Sequence, residues 1–482
     1  MNDAAGIRPV PRDGTVPLPL SSAQERLWFM TRLHPGMLAY QFQARIEFTG
    51  ALDAGVLAAA LTEVVRRHEV YRTTFVERPD GPVQVVHPPY RVELPVTDLR
   101  GPGEDAEGAQ STERTENAER AAVRAEVAAE IPVDRLPLVR WRLLRTADDR
   151  HVLLHLEHHL VHDGWGFNLF VDELCALYRA FAAGEPSPLP EPAVQFADFA
   201  VWQRSWLDGP EAEEQLAYWR EQLDGVPYFL DLATDRPRTP RRRFTGDAPR
   251  FTVPGELADA VRALAARERV PLFSVMLAAF EVLLGGWSGQ DDFCVATGMA
   301  ARTRPEVDGM FGMLVNTVAL RADLRGDPTF RELLGRVRGT TFGALAHQEL
   351  PFDRVVAALR PPRVRGRQPL CEVLFAFHDS PSATVRIPGL EVEVTPGIAN
   401  GSAKFDLNVI AIPRAEQTIG RRDGAGPRAI EFIWEYDREL FDAATVGRAA
   451  ERYERLLTAV TAAPGTRISA LTGDGRHRED EK

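Results

Sequence analysis

The segment His158-His159-Leu160-Val161-His162-Asp163-Gly164 lies between an alternating apolar stretch and an amphipathic one. Two adjacent histidines followed by a carboxylate and a glycine supply a base, an orienting or structural anion, and a tight bend. These are the parts of an acyl-transfer site. In a strand over 151–159, odd and even residues point to opposite faces. His158 and His159 therefore diverge, so one can face a substrate while the other serves as a packed, hydrogen-bonded support. Gly166 and Asn168 fall near the start of the next helix, where N–H groups and the helix dipole favour a developing oxyanion.

Two other chemistries compete for these residues. His155, His158, His159 and His162 form a histidine cluster, but strand alternation splits His158 from His155 and His159. No cysteine or second-shell carboxylate pattern accompanies them, so no metal site is expected. A Ser-His-Asp triad lacks its Gly-x-Ser-x-Gly elbow anywhere in the chain. A satisfied core cluster of histidines is the plain structural alternative.

The elements that position this segment follow from periodicity. Ser21 and Gln24 form a capping box at a short helix. Apolar spacing predicts a helix over Val56 to His68. Strands are expected at Thr73 to Phe75 and Val83 to Val86, around a turn at Pro79-Asp80-Gly81. Adjacent strands follow at Leu138 to Arg145 and His151 to His158. From Phe167 the period becomes helical, with Phe170, Val171, Leu174, Leu177, Tyr178 and Phe181 on one stripe. Gly101 to Glu119 is polar and charged, and reads as a mobile surface excursion.

Beyond the Pro-rich stretch Pro186 to Pro192, helices are expected over Gln215–Leu223, Leu257–Arg267, Leu272–Trp287, Phe330–Gln348, Phe352–Leu359 and Thr445–Val460. Strands are expected at Phe293–Thr297, Val373–Phe377, Leu407–Ile412 and Ile430–Tyr436. Gly420 to Gly426 reads as a hairpin tip. The chain of 482 residues exceeds one ordinary core. The resulting division is a flexible tail over 1–16, a lobe over 17–185, a second lobe over 186–471, and a solvated tail over 472–482.

Composition narrows the class. Hydrophobic residues at 44% and charged residues at 26% describe a globular protein. No run approaches the ~18 apolar residues of a membrane span, and the N-terminus lacks a secretory h-region. A cytoplasmic location is therefore expected. The net charge of −12 argues against nucleic acid as a partner. Cys175, Cys294 and Cys371 are scattered in apolar segments and read as buried thiols.

Seven ordered segments carry a resemblance to the condensation domains of nonribosomal peptide synthesis, members of the chloramphenicol-acetyltransferase-like superfamily. His158-His159-x-x-x-Asp163-Gly164 matches that family's His-His-x-x-x-Asp-Gly signature in full. Ser21-x-Ala23-Gln24-x-Arg26-Leu27-Trp28 is similar to the opening motif. Arg67-His68-Glu69-Val70-Tyr71-Arg72-Thr73-x-Phe75 resembles the second, with Tyr71 where Leu is usual. Phe196-Ala197-Asp198-Phe199-Ala200-x-Trp202-Gln203 resembles the fourth. Ala300-Ala301-Arg302 with Pro305-Glu306, then Gly312-x-Leu314-Val315-Asn316-Thr317, resembles the fifth. His347-Gln348-Glu349-Leu350-Pro351-Phe352 and Arg367-Gln368-Pro369-Leu370 resemble the sixth and seventh. Two departures stand out. Gly166 replaces the serine common after the tryptophan, and Ala301 replaces a usual glycine, narrowing the channel locally.

The resemblance implies a mixed α/β fold of two acetyltransferase-like lobes, arranged as a V around a central tunnel. Each mouth admits the phosphopantetheine arm of a carrier protein, with His159 near the centre as base. Asp163 holds the active-site loop through an ion pair across the lobes with Arg302, and His158 and Gly164 complete the motif. Arg67 and Arg72 match positions that support the fold through ion pairs. Trp165, Gly166 and Asn316 are tunnel candidates, with a strand-end structural amide the equal alternative for Asn316. No bound cofactor or metal is implied. The donor arrives on a carrier protein, and the acceptor is a small molecule or a second carrier-bound group. The initial Met, the charged tail, and the lack of room for adenylation or carrier domains resemble a free-standing enzyme acting in trans. The alternatives are a coenzyme-A-dependent acyltransferase of the same superfamily and an inactive recruitment platform.

Overall fold

The computed structural model describes residues 6–14, 17–100, 108–379, 387–416 and 428–472. The chain forms two compact units. The first comprises Met1–Asp208, Arg302–Leu314 and Ser382–Asn400; the second comprises Gly209–Ala301, Val315–Pro381 and Gly401–Lys482.

In the first unit a five-stranded sheet runs in the order Leu390–Pro396, Gln41–Gly50, Arg150–His158, Val139–Arg145, Val96–Asp98. Its pairs are antiparallel except the last, which is parallel. Arg150–His158 is thus a central strand, buried from His151 onward on both faces. Its polar residues His151, His155, Glu157 and His158 are therefore buried among Val152, Leu153, Leu154 and Leu156, and need partners inside the fold. The helices Ala54–Arg67 and Gly164–Ala182 pack together, and their apolar stripes enter the same core as the sheet.

The strand Gln41–Gly50 was not expected from periodicity, although Ala44, Ile46 and Phe48 alternate with Arg45, Glu47 and Thr49. It pairs with Arg150–His158 along its length, from Gln41 opposite His158 to Thr49 opposite Arg150. The chain leading into it, through Tyr40, anchors the backbone where the histidine pair begins.

The second unit holds a mixed sheet in the order Asn316–Asp323, Asp292–Met299, Val373–Phe377, Leu407–Ile412, Ile430–Asp437, Gly246–Asp247, with Arg250–Val253 also pairing to Ile430–Asp437. The contacts of Val373–Phe377 to its two neighbours are parallel. Helices Gly255–Glu268, Leu272–Ser288, Phe330–Ala346 and Ala443–Ala462 pack against one another and against this sheet. Leu272–Ser288 is buried nearly all round, and Tyr453 donates from its hydroxyl to Met276 O at 2.9 Å.

Four expectations about organisation differ from the structure. The division falls at Asp208/Gly209 instead of 185/186, because the Pro-rich stretch is tied down. Arg67 donates to the carbonyls of Leu189 and Pro190, and Val194, Phe196 and Phe199 lie in the first unit's core. Two segments of the latter half, Arg302–Leu314 and Ser382–Asn400, also belong to the first unit. The described part of the 1–16 tail is anchored: Ile7 is buried, Val10 N–H donates to Asp198, and Arg12 pairs with Glu69 and Asp198, each at 2.8 Å. Gly108–Val127 is helical, so only 101–107 of the proposed excursion lies outside the described residues. The hairpin tip at 420–426 and the tail from 473 also lie outside them, whereas Thr472 closes the helix Ile468–Thr472.

Candidate active site

The central strand ends at His158, and His159, which the alternation argument counted in the strand, lies in a single 3-10 turn over His159–Val161. The backbone N–H of His159 donates to Tyr40 O at 2.8 Å. His158 is buried, and its Nδ1 accepts from Leu160 N–H at 3.1 Å, which pins the turn. His151, His155 and His162 are buried as well, whereas His159 is half-buried. Divergence of the pair thus survives, although it is the turn and not continued strand alternation that directs residue 159.

Asp163 caps the helix Gly164–Ala182 and is 1% exposed. Its Oδ1 accepts from Gly166 N–H at 2.7 Å, and its Oδ2 accepts from Leu314 N–H at 3.0 Å. Arg302 Nη2 lies 3.2 and 3.3 Å from the two oxygens. A buried carboxylate needs this degree of satisfaction. Arg302 is itself spent on structure: Nη1 donates to Met310 O at 2.9 Å and to Val307 O, and the guanidinium stands 5.7 Å from the Trp165 ring. Trp165 in turn donates from its indole to Asp308 O at 3.2 Å.

Asp163 and Arg302 belong to the same unit, so the expected pairing across lobes is corrected to one within a unit. Gly312 explains the motif that follows Arg302. At φ 145° its backbone lies so close to Phe196 that an added Cβ would stand 1.9 Å from that ring. Only glycine permits that approach, which brings Leu314 N–H onto Asp163. Ala301, where glycine is usual, sits at φ 50°, a conformation that costs an L-residue about 1–2 kcal/mol.

Other candidates prove to be structural. The N–H of Gly166 is taken by Asp163, so it is not available to a substrate oxyanion as expected. A serine Cβ there would stand 3.2 Å from Asp163 Oδ1, and the cap missing from residue 166 comes from Asp163 instead. Gly164 is exposed with open space around it. Asn316 donates to the carbonyls of Gln348 and Leu350 and accepts from Phe352 N–H, which makes it the strand-end structural amide and not a tunnel residue. Arg67 pairs with Glu173 at 3.1 Å; Arg72 donates to His87 O at 2.6 Å. Arg367 forks onto Glu372 with two contacts of 2.6 Å and also reaches Asp231. Burial pushes the Cys175 thiol up to about 12, which removes it from chemistry near neutrality.

Glu157 was not singled out from sequence. It is fully buried, and Nε2 of His155 lies 2.8 Å from its Oε1. Nδ1 of His162 contacts the same oxygen. Burial opposes ionisation of Glu157, but the two imidazoles beside it, His162 foremost, outweigh that and hold the carboxyl at about 2. The signal lay in the strand pattern: Glu157 is the one acid within the apolar run His151 to His158, and a lone acid there must have buried partners. Among the described residues no group of three or more His, Cys, Asp or Glu side chains is arranged to hold a metal ion.

Residues 16–476 match the family model of the condensation domain. The chain belongs to the condensation-domain family. Members of this family are in general amide-bond-forming acyltransferases. Chondramide synthase of Chondromyces crocatus is 39% identical over 474 residues, 98% of this chain and 12% of that synthase. The chain therefore spans a small part of the curated relatives it matches. The X-domain from teicoplanin biosynthesis superposes with a TM-score of 0.83 at 25% identity, covering 96% of this chain and 99% of that one. It has also been solved in complex with OxyB. The SgcC5 protein from Streptomyces globisporus, solved with a naphthyl ethanediol and sucrose, gives 0.78 at 26% identity over 93% of this chain and 100% of that one. The fold is the chloramphenicol-acetyltransferase-like one of these condensation domains.

Proposed function

We propose that this condensation domain transfers an acyl group from a carrier-protein phosphopantetheine thioester to an amine or hydroxyl acceptor, with His159 as the base. The observation that carries the reading is the contrast at the histidine pair. His158 is buried and spent on the turn, whereas His159 is half-buried on a backbone fixed by Tyr40 and by the Asp163 cap.

The chemistry needs little more. The acceptor's N or O attacks the thioester carbonyl, the C–S bond breaks, and the acceptor's proton passes through His159 to the departing thiol. Holding the two partners in line contributes roughly 7–11 kcal/mol in good cases. Base catalysis adds typically about 10²–10⁴ in rate. A neutral amine needs chiefly orientation, whereas a hydroxyl depends more heavily on the base. No bound cofactor enters, since the thioester is already activated.

The test is mass spectrometry of products from an acyl-loaded carrier protein with matched amine and alcohol acceptors. His159→Ala should lower turnover at least ~100-fold, the lower bound for a lost base. Full activity in that variant would remove the assignment. Transfer only from free coenzyme A thioesters would support the coenzyme-A-dependent alternative. A second reading, a recruitment platform, draws on the likeness to the X-domain solved with OxyB. It requires that the wild-type chain transfer nothing from any donor while binding a partner enzyme.

A further inference from the structure

Behind His159 lies a set of buried polar groups that the acyl-transfer chemistry above does not use. Trp141 donates from its indole N–H to Nδ1 of His155 at 2.8 Å. An indole nitrogen can only donate, so Nδ1 of His155 carries a lone pair and the ring proton sits on Nε2. Nε2 lies 2.8 Å from Glu157 Oε1. With Nδ1 accepting from the indole, His155 is neutral and brings no charge of its own. Tyr71, in the turn Glu69–Arg72, is buried near the carboxylate, and its hydroxyl is pushed well above its ordinary range by burial and by the charge of Glu157. The remaining partner is Nδ1 of His162.

His162 is clamped by packing as well as by charge. Phe42 stacks on its ring at 4.3 Å and 21°, and Phe167 meets it edge-on at 6.2 Å. The His162 ring centroid lies 5.5 Å from that of His159. The order Glu157, His162, His159 therefore runs from the core toward the half-buried ring. Other charges near this line are already matched: Asp163 is paired with Arg302, and Glu173 with Arg67 and His68.

We propose that Glu157 and His162 are positioning residues for His159. The carboxylate keeps a proton on Nδ1 of His162, and this oriented ring, with the buried anion behind it, raises the proton affinity of His159. The arrangement places an acid one ring further from the base than in hydrolytic triads, where a buried carboxylate contacts the catalytic imidazole directly. Its consequence is specific: the pair matters most for a hydroxyl acceptor, whose proton the base must take.

The inference rests on His159 being the base, so its test reads the ring itself as well as the reaction. Titration of ¹⁵N-histidine-labelled protein by NMR follows residues 155, 159 and 162 individually, assigned by single substitutions. Glu157→Gln removes the negative charge but keeps the shape. An imidazolium at 159 then loses support, so its midpoint should fall by about one pH unit, the low end for a nearby opposite charge. The acid limb of kcat/KM should move by the same amount, with kcat for alcohols reduced more than for amines. Glu157→Asp should restore part of both. An unchanged His159 midpoint in folded Glu157→Gln protein would reduce the pair to a structural role. If that variant does not fold, the wild-type spectrum decides: the proposal requires a proton on Nδ1 of His162 and none on Nδ1 of His155 near neutral pH. A bare Nδ1 on His162 would overturn it. Should His159→Ala retain transfer while these ring properties hold, the base assignment fails and the pair's effect on the ring stands.

Discussion

Buried carboxylates occur in both units, and an arginine network in the second contrasts with one histidine-lined acid in the first. In the second unit Arg238 reaches Asp406 at 2.5 Å, Arg242 reaches Asp437 at 3.2 Å, and Arg367 forks onto Glu372. Guanidinium stays charged at every working pH, so this network is a set of fixed clamps. In the first unit Glu157 is met by two imidazoles. Imidazole changes its charge near neutrality, so the same buried anion there responds to protons. Asp163, in the first unit, is held by Arg302 as the acids of the second are held by arginine. The contrast is therefore between fixed guanidinium clamps on loop and cap and the titratable rings around Glu157.

The sharpest way to break this comparison is Arg302→Leu. It strands Asp163 as a buried, uncompensated charge, a loss of about 3–5 kcal/mol in urea unfolding. Acyl transfer should fall with it, because the cap and the turn at His159 share that anchor. Next is the acid limb. Glu157 titrates at about 2 in the fold against 4.5 when unfolded, so its stabilisation is complete above about 4.5 and disappears as pH falls toward 2. Acid unfolding followed by circular dichroism should show a loss on the order of 3 kcal/mol that Glu157→Gln lacks. Arg367→Met should cost less, about 1–3 kcal/mol for leaving Glu372 without its fork. Turnover per folded molecule should stay unchanged, which separates clamp from catalyst. The smallest effect is expected for Ala301→Gly. Relief of the left-handed strain, offset by glycine's entropy, should raise stability by less than ~1 kcal/mol in thermal unfolding.

Legibility varied with the range of the interaction. The capping box of Ser21 and Gln24, the strand over the histidine-rich run, and the helix after Asp163 were all readable, because each is set by neighbours a few residues away. The strand Gln41–Gly50 was readable from its alternation and was passed over. The helix Gly108–Val127 was not, since its polar face outweighs a weak apolar stripe. At the site, the motif marked His158, His159 and Asp163 but left the sharing of tasks between them open.

Residue types and spacing by themselves determined that a base, an anion and a bend stand together between a strand and a helix, and that the chain resembles condensation domains. The surroundings of Glu157 were decided only by tertiary packing, because it meets His162 beyond a turn and a His155 ring held by the Trp141 indole. The same holds for Asp163 and Arg302, which meet across 139 residues of chain, and for the assignment of Arg302–Leu314 to the first unit. Local periodicity is written along the backbone. The partner of a buried charge depends on which surfaces close over it, and that is settled when the core packs.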